Sequence, residues 1–338
     1  MMKWGVIGCG VIGRRRGEAL PNGSKIVACY DVNESSAQSY AKDFEAKAYS
    51  SLEEFFSKGA PEVVIISTVN SALAPCVQAC VNHGVACIVE KPAARSLSEL
   101  KTIKNSRNVP VKVGFNHRFH PAFKDLLDLI RASADADPVM YIRGRYGNGA
   151  RVGFDREWRA NVEIAGGGEL LDQGVHLIDL ALQICPALEV SSALCKTQYW
   201  DMPVDDNSWA LMSAPTGESF SMQVSSTEWK NEFQFDVYTR KTKYVWSGLG
   251  RSYGPEKLTI YRMKPEMGPP DVEELNYDGA DLSWLKENEN FEQAIISKDK
   301  AWGSLEDAAA CLKRVEDIYQ KSFQLQGKPA DHPKWWQG

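Results

Sequence analysis

A carboxylate and an imidazole stand four residues apart, behind three consecutive glycines, in this 338-residue sequence. The glycines are at 166–168, and the pair is Asp172 and His176. The apolar spacing across residues 170–184 predicts a helix, on which residues four apart share one face. A carboxylate and an imidazole directed at one volume, behind a loop without side chains, suit proton transfer to a small molecule.

The pair alone leaves two interpretations open. In the first, His176 is a general base, and Asp179, three residues further on, holds the other nitrogen of its ring. In the second, Asp172 and His176 are polar residues on the solvent side of an ordinary amphipathic helix. The choice between them depends on what the remaining elements bring to this helix.

Short apolar segments alternate with helical segments over the first third of the chain. This alternation predicts a parallel, doubly wound sheet. The predicted strands cover residues 3–7, 25–30, 46–49, 62–67, 85–89 and 111–114, and the predicted helices cover 14–20, 34–44, 52–58, 73–82 and 96–106.

A Gly-Cys-Gly-Val-Ile-Gly segment directly follows the first predicted strand. In such a loop Gly8 permits a tight turn, Gly10 lets the backbone approach a pyrophosphate, and Gly13 lets the helix pack on the strand. Asp31 ends the next strand, where a carboxylate binds the ribose hydroxyls and repels a 2′-phosphate. The segment predicts a dinucleotide site and favours NAD over NADP. The arginines at 14–16 lie on the helix, and we interpret them as a solvated helix face that packs with acids nearby.

A second motif, Glu90-Lys91-Pro92, stands at the carboxyl end of a predicted buried strand. Ligands of doubly wound sheets bind beyond these strand ends. There the Lys91 ammonium would polarise a substrate oxygen, and a cis bond to Pro92 would fix its direction. The alternative is a strand that simply ends in a surface lysine and a proline.

From residue 138 the pattern changes to the alternation typical of an antiparallel sheet. We expect one buried face and one open face, which is a surface for a subunit contact. The predicted strands are 139–146, 191–199, 208–214, 219–229, 232–238, 244–246 and 257–263, with helices at 122–132, 282–297 and 304–325. The predicted division is therefore 1–120, 121–326 and a tail at 327–338.

Five arginines and three aromatic residues crowd residues 143–159, just before the glycines. A mobile, arginine-rich loop suggests an anionic substrate such as a uronate, a sugar phosphate or a nucleotide sugar, with Trp158 stacking on a sugar ring. The alternative is a solvated loop whose arginines pair with Asp155, Glu157 and Asp206.

Composition narrows the class of protein. A net charge of -5 argues against binding to nucleic acid or to an anionic membrane, and no apolar run approaches the roughly 20 residues of a membrane span. The first residues do not form a signal peptide, and eight scattered cysteines without a CxxC pair indicate reduced thiols of a cytoplasmic protein. His117 and His120 lack acids at metal-ligand spacing, so we expect no metal site.

Several motifs follow one another along the chain. They are GCGVIG with Asp31, EKP at 90–92, Arg118 with Pro121, Trp158-Arg159, and GGG…DxGxHxxD at 166–179. In this order they resemble the motifs of the Gfo/Idh/MocA oxidoreductases, which include inositol, glucose and nucleotide-sugar dehydrogenases. The resemblance implies an α/β protein: an N-terminal Rossmann domain plus a C-terminal α/β domain with an open, predominantly antiparallel sheet. It also implies homodimers or homotetramers formed through that sheet, and catalytic roles for Lys91, Asp172 and His176.

The candidate site residues fall into two sets. The predicted cofactor-binding residues are Gly8, Gly10, Val11, Ile12, Gly13, Asp31, Thr68, Asn70, Glu90 and Lys91. The predicted substrate-binding residues are Asn116, Arg118, Trp158, Arg159, Asp172 and His176. The chain departs from the family after the fourth strand, where Thr-Pro-Asn-x-x-His is common: Val69 replaces the proline and Leu73 the histidine. This departure concerns local cofactor contacts and not the chemistry.

These features predict an NAD(H)-dependent dehydrogenase or ketoreductase acting on a CH–OH group of a sugar, a sugar derivative or an inositol. His176 would take the hydroxyl proton, Lys91 would hydrogen-bond the same oxygen, and Asp172 would orient the substrate. Two alternatives are an oxidoreductase that retains its cofactor and a non-catalytic dinucleotide-binding regulator. A regulator could dispense with Lys91 and with the Asp172–His176 pair.

Overall fold

The computed structural model describes residues 2–105 and 108–326, which form two compact units. The first unit contains the chain through Asn116 together with Leu282–Ala310, and the second contains His117–Asp281 and the chain from Cys311. This differs from the predicted division, because the boundary lies before residue 120 and a later segment returns to the first unit. The predicted tail at 327–338 lies outside the described residues. No helix in the described ranges is long and apolar enough to cross a membrane.

A six-stranded parallel sheet, in the order β3-β2-β1-β4-β5-β6, forms the centre of the first unit and confirms the predicted Rossmann topology. Its strands are β1 (Lys3–Ile7), β2 (Lys25–Tyr30), β3 (Lys47–Ala48), β4 (Val63–Ile66), β5 (Ala86–Glu90) and β6 (Val111–Gly114). Its helices are α1 (Val11–Glu18), α2 (Glu34–Asp43), α3 (Leu52–Ser57), α4 (Asn70–Asn82), α5 (Leu97–Leu100) and α9 (Ser283–Ser297).

One helix of this unit is much shorter than predicted. Ser96 caps α5 by accepting a hydrogen bond from the Glu99 backbone N–H at 3.1 Å, as the capping-box pattern indicates. The helix nevertheless ends at Leu100, whereas the prediction ran to residue 106. Few apolar side chains follow Leu100 to hold further turns, and Asn105 adopts a left-handed conformation with φ of 61°.

Helix α9 belongs to the first unit because its apolar side packs on the parallel sheet. Phe291 is fully buried and meets Trp4 of β1 edge to face, with ring centroids 6.4 Å apart. The indole N–H of Trp4 donates to Glu292 at 2.8 Å. A segment distant in sequence therefore completes the core of the nucleotide-binding unit.

The second unit is built on an eight-stranded sheet in the order β14-β13-β12-β11-β7-β10-β9-β8. Only β7 and β10 pair in parallel, so the predicted predominantly antiparallel sheet is confirmed. Its strands are β7 (Val139–Gly147), β8 (Glu189–Lys196), β9 (Asn207–Ser213), β10 (Ser219–Ser225), β11 (Glu232–Thr239), β12 (Thr242–Ser247), β13 (Glu256–Arg262) and β14 (Asp271–Tyr277). Its helices are α6 (Pro121–Ser133), α7 (Val162–Ala165), α8 (Val175–Ile184) and α10 (Leu305–Gln326), which starts in the first unit.

Side chains of this sheet alternate between a buried face and an exposed face. Ile142 and Phe235 point inward and are almost fully buried. On the opposite face Tyr141 stacks on Tyr238 with ring centroids 4.1 Å apart, and Arg143 pairs with Asp236 at 2.6 Å. An aromatic and charged face of this kind matches the open face that we predicted, while its role in subunit contacts stays a prediction.

Glycines 166–168, which precede α8, have a different role from the one predicted. Gly166 ends α7 in a left-handed conformation, with φ of 85°. A Cβ on Gly167 would lie 2.6 Å from the Tyr319 hydroxyl, and one on Gly168 would lie 2.6 Å from the Asp205 nitrogen. The glycines are therefore required for close packing of the backbone, rather than to keep a path to the site open.

Asp205 anchors the chain where these glycines meet α8. Its carboxylate is buried and accepts backbone hydrogen bonds from Gly168 at 3.0 Å and Leu170 at 2.8 Å. The hydroxyls of Ser208 and Tyr319 also donate to it, at 2.8 and 2.5 Å. Burial raises the pKa of Asp205 above its ordinary value, and these donors oppose that rise. A charge held by four donors fixes the start of the predicted catalytic helix.

We expect Asp205→Asn to lower the free energy of unfolding by about 2–4 kcal/mol, because the amide offers one acceptor oxygen and turns an NH₂ group toward buried donors. Denaturant-induced unfolding followed by circular dichroism measures the change. The matched control is Ser208→Ala, which removes one donor and should cost about 1 kcal/mol. Equal stability of Asp205→Asn and the unaltered protein would show that this carboxylate is not an anchor.

Candidate functional site

The glycines at 8–13 differ in what surrounds them. Gly8 has φ of 96°, and a Cβ there would lie 2.6 Å from the Ser67 carbonyl carbon. A Cβ on Gly13 would lie 2.8 Å from the Ser67 Oγ and closer still to the Gly8 carbonyl oxygen. Around Gly10 no atom lies within 4 Å of the Cβ position, at the N-terminus of α1. Gly8 and Gly13 thus serve internal packing, whereas Gly10 leaves space that a pyrophosphate fits.

Asp31 connects the end of β2 to this loop. Its Oδ2 accepts from the Cys9 backbone N–H at 2.7 Å, and its Oδ1 accepts from the Asn33 backbone N–H at 2.8 Å. Each carboxylate oxygen has a further lone pair, so the group can also accept from ribose hydroxyls. The space at Gly10 and the fixed carboxylate of Asp31 therefore fit a dinucleotide.

The other predicted cofactor-binding residues surround the same strand ends. Val11 is 68% exposed on the first turn of α1, next to Ile12. Asn70 is the first residue of α4, and the Thr68 hydroxyl donates to the Val69 carbonyl at 3.2 Å. Their contacts with a cofactor stay predictions.

Lys91 follows β5 and is half-buried, and the bond from Lys91 to Pro92 is cis. Two residues later Ala93 has φ of 72° although it is fully buried. A left-handed conformation at a buried residue other than glycine is uncommon and is concentrated at functional sites. The backbone around Lys91 is thus held in a specific, strained path.

A buried ion-pair cluster lies beside Lys91 and corrects the interpretation of the arginines at 14–16. Arg14 is partly exposed and pairs with Asp43, but Arg16 is 1% exposed. Arg16 binds Glu90 through Nε and Glu287 of α9 through Nη1, the latter at 2.8 Å. The expected solvated face is therefore wrong for Arg16, although Arg15 is exposed and the acids that we expected nearby are present. Glu90, predicted to bind the cofactor, is held by Arg16.

Asp172 lies on a π-helical turn, Leu170–Gly174, that precedes α8. A π turn has i→i+5 hydrogen bonds, so the regular helix predicted across Asp172 and His176 is wrong at its first turn. Asp172 accepts from Arg159 Nε at 3.1 Å, and the Arg159 guanidinium lies 4.6 Å from the Trp158 ring centroid. The structure therefore brings together Trp158, Arg159 and Asp172, three of the predicted substrate-binding residues.

His176 is only 4% exposed, which contradicts the interpretation of a solvent-facing helix side. Its ring stacks on the ring of His117, with centroids 3.9 Å apart and planes inclined by 26°. His120 lies beyond His117 and contacts Glu256 through Nδ1 at 2.8 Å. The sequence suggested His117 and His120 only as metal ligands, which we rejected, and no spacing in the sequence indicated this packing.

Arg118 is fully buried, and its Nε and Nη2 donate to the Asp179 carboxylate at 2.8 and 2.5 Å. A guanidinium without exposed surface cannot contact a substrate, so the substrate-binding role predicted for Arg118 is wrong. The same ion pair gives Asp179 a role other than the His176 partner that we considered. Asn116 is also buried and donates to Ser283 at 3.0 Å, and its substrate contact stays a prediction.

The comparisons with known proteins agree with this fold. Residues 2–115 match the model of an oxidoreductase family with an NAD-binding Rossmann fold, and residues 129–245 match the Gfo/Idh/MocA C-terminal domain. The chain belongs to the Gfo/Idh/MocA family of oxidoreductases.

Several proteins similar to this chain are named as dehydrogenases. It is 26% identical over 283 residues to trans-1,2-dihydrobenzene-1,2-diol dehydrogenase of Mus musculus, covering 80% of each chain. It is 27% identical over 188 residues to glucose-6-phosphate 3-dehydrogenase of Bacillus subtilis, covering about half of each chain, 53%. Levoglucosan dehydrogenase in complex with NADH and L-sorbose shares the fold, with a TM-score of 0.86 at 20% identity over 96% of this chain and 97% of that one.

Gly10→Ala and Gly13→Ala should separate cofactor binding from folding. We expect Gly10→Ala to unfold at the same temperature as the unaltered protein but to bind NADH at least about tenfold more weakly, because its methyl group fills the pyrophosphate space. Gly13→Ala should lower the unfolding temperature by several degrees, because its Cβ overlaps atoms of Ser67 and Gly8. Thermal unfolding and NADH fluorescence titration measure the two effects. Unchanged NADH affinity in Gly10→Ala would contradict the assignment.

Proposed function

We propose that this chain is an NAD(H)-dependent dehydrogenase that interconverts a secondary hydroxyl and a ketone on an uncharged sugar or cyclitol. The observation that carries this proposal is the buried His176, four residues after an Asp172 whose charge is balanced by Arg159. A binding protein without catalysis does not require a shielded imidazole and a neutralised carboxylate on one helical segment.

The residues of the first unit support NAD as the cofactor. The backbone around Gly10 would hold the pyrophosphate, and Asp31 would accept from the ribose hydroxyls. A carboxylate repels the 2′-phosphate of NADP, and the nearby cation Arg14 is paired with Asp43. A bound nicotinamide would accept a hydride from the substrate carbon that is oxidised, or return a hydride to the carbon that is reduced.

Three side chains would handle the proton and the substrate oxygen. In the oxidative direction His176 takes the proton of the hydroxyl, and in the reductive direction it returns that proton. The Lys91 ammonium donates a hydrogen bond to the same oxygen and stabilises its developing negative charge. Asp172 accepts from a neighbouring substrate hydroxyl while Arg159 offsets its charge. General acid–base assistance of this type contributes about 10²- to 10⁴-fold in rate.

The ion pairs of the arginine-rich segment 143–159 support an uncharged substrate, because they already offset the charges of its arginines. Four of its five arginines are paired with acids: Arg143 with Asp236, Arg145 with Glu232, Arg151 with Glu157, and Arg159 with Asp172. The pairs support the interpretation of a solvated segment over that of an anion-binding loop, but the acids differ from those expected. Of the three expected acids Glu157 takes part, whereas Asp206 accepts from the backbone N–H groups of residues 198–200. One relative is named for a sugar phosphate, glucose 6-phosphate, and one structural neighbour for the uncharged levoglucosan. The experiment therefore includes both charged and uncharged substrates.

Initial rates of NAD reduction with inositols, neutral sugars, uronates, sugar phosphates and nucleotide sugars test the proposal. We expect turnover with an uncharged member, and loss of turnover by about 10²- to 10⁴-fold in His176→Ala and Lys91→Ala, with unchanged NADH affinity in His176→Ala. His83→Ala, at an exposed histidine of the first unit, is the matched control.

Turnover retained in His176→Ala or Lys91→Ala would remove that residue from the mechanism, and a preference for uronates or phosphates would overturn the uncharged substrate. Absence of turnover across the panel, despite NADH binding, would favour a regulator. Absorbance of reduced nicotinamide in freshly purified protein would identify an enzyme that retains its cofactor.

We also propose that the exposed face of the eight-stranded sheet joins subunits into a homodimer or a homotetramer. Tyr141 is 38% and Leu211 is 47% exposed on this face, and apolar surface of this kind is typical of subunit contacts. Light scattering coupled to size exclusion should give a dimer or a tetramer for the unaltered chain and a smaller species for Tyr141→Asp. A monomeric unaltered chain at micromolar concentration would contradict this proposal.

A further inference from the structure

Tyr253 lies on a loop between β12 and β13 that closes on itself. The Gly250 backbone N–H donates to the Gly254 carbonyl at 2.8 Å, and the Tyr253 N–H donates to the Gly250 carbonyl at 3.1 Å. The Ser252 hydroxyl accepts from Asn231 at 2.8 Å. These bonds hold a five-residue loop in one conformation.

The same loop stores backbone strain. Gly250 and Gly254 have φ of 77° and 85°, and between them Arg251, which is not a glycine, has φ of 51°. Left-handed conformations at residues other than glycine are unfavourable and persist where surrounding structure imposes them. Arg251 itself is exposed. The constrained loop therefore fixes the direction of Tyr253, two residues further on.

Tyr253 is directed at the polar cluster around His176. Its ring meets the buried ring of Tyr146 edge to face, with centroids 5.4 Å apart, and the Tyr146 ring lies 6.2 Å from that of His176. Glu169 is buried at the base of this region and accepts from Asn148 at 2.9 Å. Tyr253, in contrast to Tyr146, is only half-buried and therefore retains a solvent-accessible side.

Both phenols keep their protons at neutral pH. Burial raises the pKa of Tyr253 to about 12, with contributions from the charges of Glu169 and Asp172, so this phenol keeps its proton at neutral pH. Burial also raises the pKa of Tyr146, and the hydrogen bond between the phenols raises it further while it lowers that of Tyr253. A protonated phenol carries one O–H donor, and Tyr253 also has a solvent-accessible side from which it can reach a third group.

We propose that Tyr253 contacts the substrate and donates a hydrogen bond to a hydroxyl other than the one oxidised, with Tyr146 as the residue that positions it. This inference rests on the proposed function, since it assigns Tyr253 to the substrate of the same site. A neutral phenol suits an uncharged sugar or cyclitol, because it supplies a donor without adding charge beside Asp172. The half-buried face of Tyr253 is the side that a substrate would cover.

Steady-state kinetics of Tyr253→Phe on the substrate found for the unaltered protein test the inference. We expect KM for that substrate to rise about tenfold, the loss of one hydrogen bond, while kcat changes less and NADH affinity does not change. Tyr146→Phe should raise KM by a smaller factor, because it removes only the hydroxyl that helps to orient Tyr253 and keeps the ring contact. The matched control is Tyr277→Phe, a half-buried tyrosine that bonds Asp125 elsewhere in the second unit.

A series of monodeoxy analogues supplies a readout that a merely structural role would not change. One analogue, lacking the hydroxyl that Tyr253 contacts, should give equal KM for the unaltered protein and for Tyr253→Phe. If KM on the parent substrate is unchanged in Tyr253→Phe, or if no analogue removes the difference, Tyr253 is not a substrate contact while the proposed function stands. If the unaltered protein neither binds nor oxidises any sugar or cyclitol, the proposed function fails and this inference fails with it.

Discussion

One buried carboxylate, that of Asp205, holds the start of the helical segment that carries Asp172 and His176. Its oxygens accept hydrogen bonds from the backbone N–H groups of Gly168 and Leu170. The first N–H groups of a helix have no acceptor within the helix itself. Two hydroxyls complete its coordination, and one of them comes from Tyr319 of the last helix. Because the π turn and α8 follow directly, the positions of Asp172 and His176 depend on this charge. Local helix propensity contributes little here.

Each unit contains a buried ion pair close in sequence to residues of the proposed function. Arg118 binds Asp179 under α8, and Arg16 binds Glu90 next to Lys91. A buried ion pair seldom stabilises a fold more than apolar packing would, since both charges lose their hydration. Its effect is directional, because a guanidinium and a carboxylate bind in few geometries. These pairs therefore explain the position of the reactive side chains better than they explain stability.

The sequence predicted the nucleotide-binding unit well because its signals are local. The strands β1, β2 and β6 have the predicted bounds, and the glycines at 8–13 act within one strand–turn–helix segment. The sequence patterns failed to predict contacts between residues that are far apart in the chain. Asp205 meets Gly168 from 37 positions away, and no spacing rule connects them. Strand β14 was not predicted because it is an exposed edge without apolar alternation. Arg118 resembled a substrate ligand, since a motif reveals that a residue is required but not which partner requires it.

The placement of α9 has a consequence for the order in which the protein can be completed during synthesis. The parallel sheet leaves the ribosome first, but Phe291 and Glu287, which cover Trp4 and Arg16, follow only after the whole second sheet. A nascent chain of 120 residues therefore contains Trp4 without the Phe291 ring that covers it. It also contains Arg16 without the carboxylate of Glu287. The nucleotide-binding unit is thus not a transferable module that a single cut could release. Its last structural part, within Leu282–Ala310, follows the entire second sheet in the chain.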